Sequence, residues 1–124
     1  MDSQENLNEI MIFFFTLQLS NKIYHLSTTL FARHKASDKF DDEFQTNIDK
    51  FTEVYIGRYN VKPQITKLNF DPKILTDDGI VRLFKDSRTY LENLERFVID
   101  TDLLNIRDEM LAGINRTLYL FNLK

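Results

Sequence analysis

One apolar stripe constrains this chain more than any other feature. Phe40, Phe44, Ile48, Phe51 and Tyr55 follow one another at intervals of three or four residues. A helix returns such positions to one face, whereas a strand would scatter them over both. The stripe predicts a helix over residues 37–56. Ser37 or Asp38 is placed to cap its start, and Gly57 suits its C-terminal end.

Residues 5–30 read as a longer helix with two apolar faces. Leu7, Ile10, Phe14, Leu17 and Tyr24 share one; Ile12, Phe15, Leu19, Ile23, Leu26 and Leu30 line the other. One bundle core cannot cover both. The second face is therefore expected to meet another element or subunit, with Ile12, Phe15, Leu19, Ile23 and Leu26 as interface residues of a homo-oligomer, dimer or larger.

Residues 57–76 contain Pro63 and Pro72 and hold no sustained period, so they read as a long connection. A third helix begins near Thr76-Asp77-Asp78 and directs Ile80, Leu83, Phe84, Leu91, Leu94, Phe97 and Val98 to the core. After a turn at Asp100-Thr101-Asp102, a fourth helix over 103–122 buries Leu103, Ile106, Met110, Ile114, Leu118 and Phe121. The whole chain, 1–124, reads as one all-α domain. A helix of about 19 residues is about 28 Å long, which the second connection can span and the other two cannot. Two antiparallel hairpins joined by a long crossover between helices 2 and 3 form a ferritin-like four-helix bundle. An up-down bundle with an excursion loop is the competing topology.

Composition removes several function classes. The chain has no cysteine, so it holds neither disulfide nor thiolate metal site. Its net charge is −3 without a run of Lys or Arg, so the phosphate neutralisation needed for nucleic-acid binding has no source. The acidic start MDSQENLNEI lacks the basic region of a signal peptide, and the apolar stretch 10–15 is far shorter than a membrane span. The expectation is a protein that works inside a cell, with no membrane or nucleic-acid partner. No nucleophile–base pair or phosphate loop appears, and catalysis is not expected beyond what a metal could supply.

The two histidines, His25 and His34, fall at the end of helix 1 and just before helix 2. Continued on a helix from His34, Asp38 and Asp49 lie within about 60° of it, with Glu53 about 40° further round. Imidazoles with carboxylates suit iron, manganese or zinc. The plain alternative is the solvated face of an amphipathic helix, or an interface face, that holds no metal. Asp108 and Glu109 are weaker carboxylate candidates should helix 4 neighbour helix 2. Asn115-Arg-Thr117 matches a glycosylation sequon with nothing else to indicate secretion.

The stretch 24–59, with its two histidines, an acid four residues after the second, and Asp49-x-x-x-Glu53, resembles the metal-site region of Dps-type mini-ferritins. The resemblance implies an iron-oxidation site at a two-fold interface. His25, His34 and Asp38 would come from one subunit, and Asp49 and Glu53 from its partner. The chain as a whole, including the ending Arg116-Thr-Leu-Tyr-Leu-Phe, looks like an uncharacterised ferritin-like family of phages and large DNA viruses. That likeness implies a place in the host cytoplasm or the virion, and other virion proteins as partners. Departures from the Dps pattern are plain. The histidines stand nine residues apart without an intervening Trp or Gly, and there is no basic tail. Glu-x-x-His is also absent. Two functions follow: a ferritin-like metal binder with residual ferroxidase activity, or a non-catalytic virion or assembly component that kept the bundle and lost the chemistry.

Overall fold

The computed structural model describes residues 2–71 and 75–123. Four helices form: α1, Ser3–Ser27; α2, Phe31–Tyr59; α3, Asp77–Asn93; and α4, Thr101–Phe121, with a 3-10 turn, Leu94–Arg96, between the last two. Among the described residues there is no strand. Pro72, read as part of the long connection, lies outside the described residues.

Side-chain pairs fix the order of the helices around the bundle. α1 runs antiparallel to α2, with Tyr55 donating to the Ser3 carbonyl at one end (2.9 Å) and Lys22 paired with Asp41 further along (3.7 Å). α2 runs antiparallel to α4 through Lys50–Glu109 (3.5 Å), Arg58–Asp100 (2.8 Å) and Glu43–Arg116. α3 opposes α4 through Arg88–Asn115 (3.0 Å) and opposes α1 through the stacked rings of Phe13 and Tyr90, 4.0 Å apart. α2 and α3 therefore occupy opposite corners and point the same way. The connection between them has to return along the bundle. Its described part lies beside the start of α1, where Gln4 donates to the Lys62 carbonyl (2.6 Å) and Asn8 accepts from the Gln64 amide (2.8 Å).

The core is a continuous aromatic stack contributed by all four helices. Phe14 of α1 meets Phe44 and Phe51 of α2 edge-on, Phe40 packs on Phe84 of α3, and Phe84 on Phe121 of α4. The whole stripe Phe40, Phe44, Ile48, Phe51, Tyr55 is buried, as is the first face of α1. At one end Arg33 ties the bundle together. It donates to Tyr24 Oη of α1 (3.1 Å), the Asp77 carbonyl of α3 (2.8 Å) and the Phe121 carbonyl of α4 (3.1 Å).

Several boundaries differ from those the sequence suggested, each for a local reason. α1 stops at Ser27, where the Thr28 amide closes on the Tyr24 carbonyl, so Leu30 is not part of it. α2 begins at Phe31, six residues before Ser37, and neither Ser37 nor Asp38 caps it. Tertiary contacts from His34, Arg33 and Ser37 hold that first stretch in place of an apolar stripe. Asn60, at φ 52°, ends α2 in the left-handed region that Asn tolerates, and Gly57 stays helical. α3 gives way at Leu94 to the 3-10 turn, which leaves Phe97 exposed rather than in the core; Val98 is buried. At this stop the Leu91 carbonyl accepts both the Leu94 amide of the 3-10 turn and the buried Arg107 (2.9 Å). Leu83 and Ile106 pack on the core only partly buried. α4 begins at Thr101, and Asp100 gives no capping bond because its carboxylate faces Arg58 and Tyr59.

Candidate functional site

The chemistry-bearing side chains gather where α1 runs into α2. His25 lies on the inward side of the last turns of α1 and is 7% exposed. His34 sits in the first turn of α2 rather than ahead of the helix, and faces solvent. The three-residue turn between the helices folds the two imidazoles onto each other, with ring centroids 4.1 Å apart and planes 19° from parallel.

Each ring is held by the other residue's backbone. His25 Nδ1 lies 2.8 Å from the His34 carbonyl, and His34 Nδ1 lies 2.9 Å from the His25 carbonyl. A carbonyl can only accept, so Nδ1 carries the proton in both residues. In the neutral rings both Nε2 atoms then keep their lone pairs, which is the state a metal ligand requires. Ser37 supports the arrangement: its Oγ lies 3.1 Å from His25 Nδ1 and donates to the Arg33 carbonyl (2.7 Å). Asn21, fully buried, donates to the Ser37 carbonyl (2.9 Å). The support that Ser37, Asn21 and Arg33 give the imidazoles is not legible in the sequence, where Ser37 reads only as a possible helix cap, because it is set by contacts between helices.

Asp38 stands one turn beyond His34, with Oδ1 3.7 Å from His25 Nε2. Two ligands of one ion with bonds of about 2.0–2.2 Å stand about 3–3.5 Å apart, so a small closure would bring both to one metal. Nitrogen and carboxylate oxygen are also the donors such an ion takes. Asp49 and Glu53 are not part of this group. They stand 11 and 15 residues beyond Asp38 on the same helix, about 16 and 22 Å along its axis. There they line a cleft of about 370 Å³ with Met11, Phe15 and Pro63, and Asp49 accepts from Gln45 (3.0 Å). Among the described residues, no one chain gathers three or more such donors around a point.

The other candidate carboxylates are occupied. α4 does neighbour α2, but Glu109 pairs with Lys50 and Asp108 with Arg107 (2.8 Å). Asn115 accepts from Arg88. Elsewhere the titration of buried phenols is displaced. Burial pushes Tyr90 up to about 12, with Glu9 adding to the shift. Burial likewise raises Tyr24, which Asp77 reinforces while Thr28 and Arg33 oppose it. No helix among the described residues is long and apolar enough to cross a membrane.

The fold and site thus define a four-helix bundle carrying an oriented imidazole pair at one end and a separate carboxylate pair along the same helix. The chain belongs to the family of unknown function DUF5856, whose sequence profile matches residues 25–121. The matched span begins at His25 and takes in every candidate donor. No curated protein and no solved structure matches the chain.

Proposed function

We propose that this is a ferritin-like metal-binding bundle, with iron as its preferred divalent ion and manganese or zinc as substitutes. His25, His34 and Asp38 of one copy and Asp49 and Glu53 of another would supply the ligands. The observation that carries the reading is the reciprocal bonding of His25 and His34. The two bonds close the α1–α2 turn and also set the orientation that a metal-ligating imidazole takes from the bond its other nitrogen makes. The long return between α2 and α3 supports the ferritin-like topology, and the distance from Asp38 to Asp49 favours ligands shared between copies.

Iron is substrate as well as occupant in this reading. Two Fe²⁺ would each give one electron to one hydrogen peroxide, which with two protons leaves two Fe³⁺ and two waters. The carboxylates favour the ferric product as hard anionic donors. The likeness to proteins of phages and large DNA viruses supports the host cytoplasm or the virion as the place of action. Elemental analysis of the purified protein should find near-stoichiometric iron, manganese or zinc. Asp49→Asn with Glu53→Gln should remove it while leaving the helical circular dichroism unchanged. Metal retained by that variant would overturn the assignment of the two acids.

A second reading keeps the bundle without the chemistry, as a non-catalytic virion or assembly component. The uncovered apolar side chains favour it: Leu26 and Phe31 are 71% and 72% exposed beside the α1–α2 turn. It expects no specific metal and a stable association that survives chelation.

A further inference from the structure

Where the start of α2 meets the end of α4, the bundle surface opens into a hollow of about 760 Å³ between Phe31, Arg33, Phe121 and Leu123. A second hollow of about 260 Å³ follows the same α2–α4 seam and shares Ala32 and Leu123 with the first. Together they form one groove. Its floor is apolar, because the small side chains of Ala32 and Ala36 leave room beside Leu120. Phe31 and Leu123 stand on its lips, 72% and 47% exposed. Lys39 lies eight residues beyond Phe31, so the groove runs about 12 Å along α2.

Charge on this groove has one sign. Arg33, Lys35 and Lys39 come from α2, whose first turn holds no acid, and residues 117–123 of α4 carry no charge. Asp38 is the one acid between Phe31 and Phe40, and it stands on the α1 side, 3.7 Å from His25. Glu43, further along the seam, is engaged by Arg116. The ion pairs among the described residues draw on Lys22, His25, Lys50, Arg58, Arg107 and Arg116, and on none of the three groove cations. Two of those cations lie over the groove's own rings. Lys35 Nζ is 5.1 Å from the centre of Phe31, and the Arg33 guanidinium 5.1 Å from that of Phe121. In a chain of net charge −3, an apolar groove edged only by unmatched cations is the complement of an acidic, apolar surface.

We propose that this groove receives a short acidic amphipathic segment of a partner protein. Apolar side chains of the segment enter the hollow between Phe31, Phe121 and Leu123, while its Asp and Glu residues meet Lys35 and Lys39. A groove between two helices takes an amphipathic helix through anchors at i, i+4 and i+7, a span of about 10 Å that fits the length available. The rim charges select the partner and speed its encounter, and the apolar floor holds it. The concave shape favours a segment over a bilayer, since Ala36 is buried below the lips, out of reach of a flat lipid surface. The proposal rests on the groove and its charge rather than on the imidazole pair, and it holds with or without metal.

A display library of random peptides of about 15 residues, long enough to fill the groove as a helix, is panned against the full chain in EDTA. The selected sequences are made as fluorescent peptides, and their affinities are read by anisotropy. The expected winners carry apolar residues at three- and four-residue spacing with Asp or Glu between them. Lys35→Glu with Lys39→Glu, both at exposed positions, should leave the circular dichroism unchanged and weaken binding about tenfold or more. Peptides with their acids replaced by Lys should recover binding to that reversed chain. Phe31→Ser should weaken the acidic peptides as well. Selection of no peptide, winners without acidic residues, or equal binding to the parent and the reversed chain would overturn the proposal. So would sedimentation of the chain with vesicles of phosphatidylcholine and phosphatidylserine in place of peptide binding, which would assign the face to a membrane.

Discussion

His25 and His34 hold each other by the same bond made twice, Nδ1–H of each to the carbonyl of the other, at 2.8 and 2.9 Å. The pair closes the turn between α1 and α2 and at the same time sets both tautomers. Fold and chemistry therefore meet in one contact, and a substitution there bears on both.

The two halves of that contact are not energetically equal. His25 is buried with Ser37 and Asn21 around it, whereas His34 faces water. His25→Ala removes packing and leaves buried polar groups short of a partner, which costs about 2–3 kcal/mol. His34→Ala loses one hydrogen bond that solvent can replace, about 1 kcal/mol or less. Urea titration of the two variants beside the parent gives both values, and a larger loss for His34→Ala would contradict the account of the turn.

Tyr90 predicts a loss of stability in alkali. Its hydroxyl is buried with no hydrogen-bond partner among the described residues, and its pKa is pushed up to about 12. The unfolded chain releases that proton near pH 10 and the folded chain only near 12. The contribution is whole below pH 10 and is lost as pH rises through about 12. Tyr90→Phe should flatten the fall in urea midpoint between pH 9.5 and 11.5. At pH 7 it should be neutral or slightly stabilising, since no bond is lost and an unmet hydroxyl is removed.

Gly57 offers a gain. It is helical and exposed, no atom lies within 4 Å of where a Cβ would stand, and Asn60 does the terminating. Gly57→Ala should raise stability by about 0.5–1 kcal/mol by restricting the unfolded chain. An unchanged or lowered thermal midpoint would mean that the last turn of α2 needs glycine.

What could be read from the sequence was what periodicity encodes. The stripe from Phe40 to Tyr55 and the inner face of α1 both pack as their spacing predicts. In the outer row of α1, read as surplus to one core, Ile12, Leu19, Ile23 and Leu26 stay exposed among the described residues while Phe15 is half-buried. Periodicity failed wherever a polar contact decided the outcome. The first six residues of α2, 31–36, bury only Ala36, so no apolar rhythm marked them; Arg33 and His34 hold them from across the bundle. Phe97 fits the stripe of α3 by count, but the helix gives way to the 3-10 turn at Leu94, where Arg107 bonds the Leu91 carbonyl, before the count applies. For the site, residue types and spacing were legible and distances were not. The shortened interval between the histidines brings them into contact, while the separation of Asp38 from Asp49 is a matter of helical rise that places the two groups in different regions of one chain.

The account's central claim is that one copy's imidazoles and another's carboxylates hold the same ion. Its most direct test mixes two defective proteins: His25→Ala with His34→Ala on one chain, and Asp49→Asn with Glu53→Gln on the other. Each is dialysed against Mn²⁺ alone, then refolded together, and bound manganese is measured by elemental analysis. The account predicts almost none in either variant alone and recovery in the mixture, because a mixed pair rebuilds one complete site from the two intact halves. Equal, negligible metal in all three samples beside a loaded parent would contradict shared ligation, and so would full loading of either variant by itself.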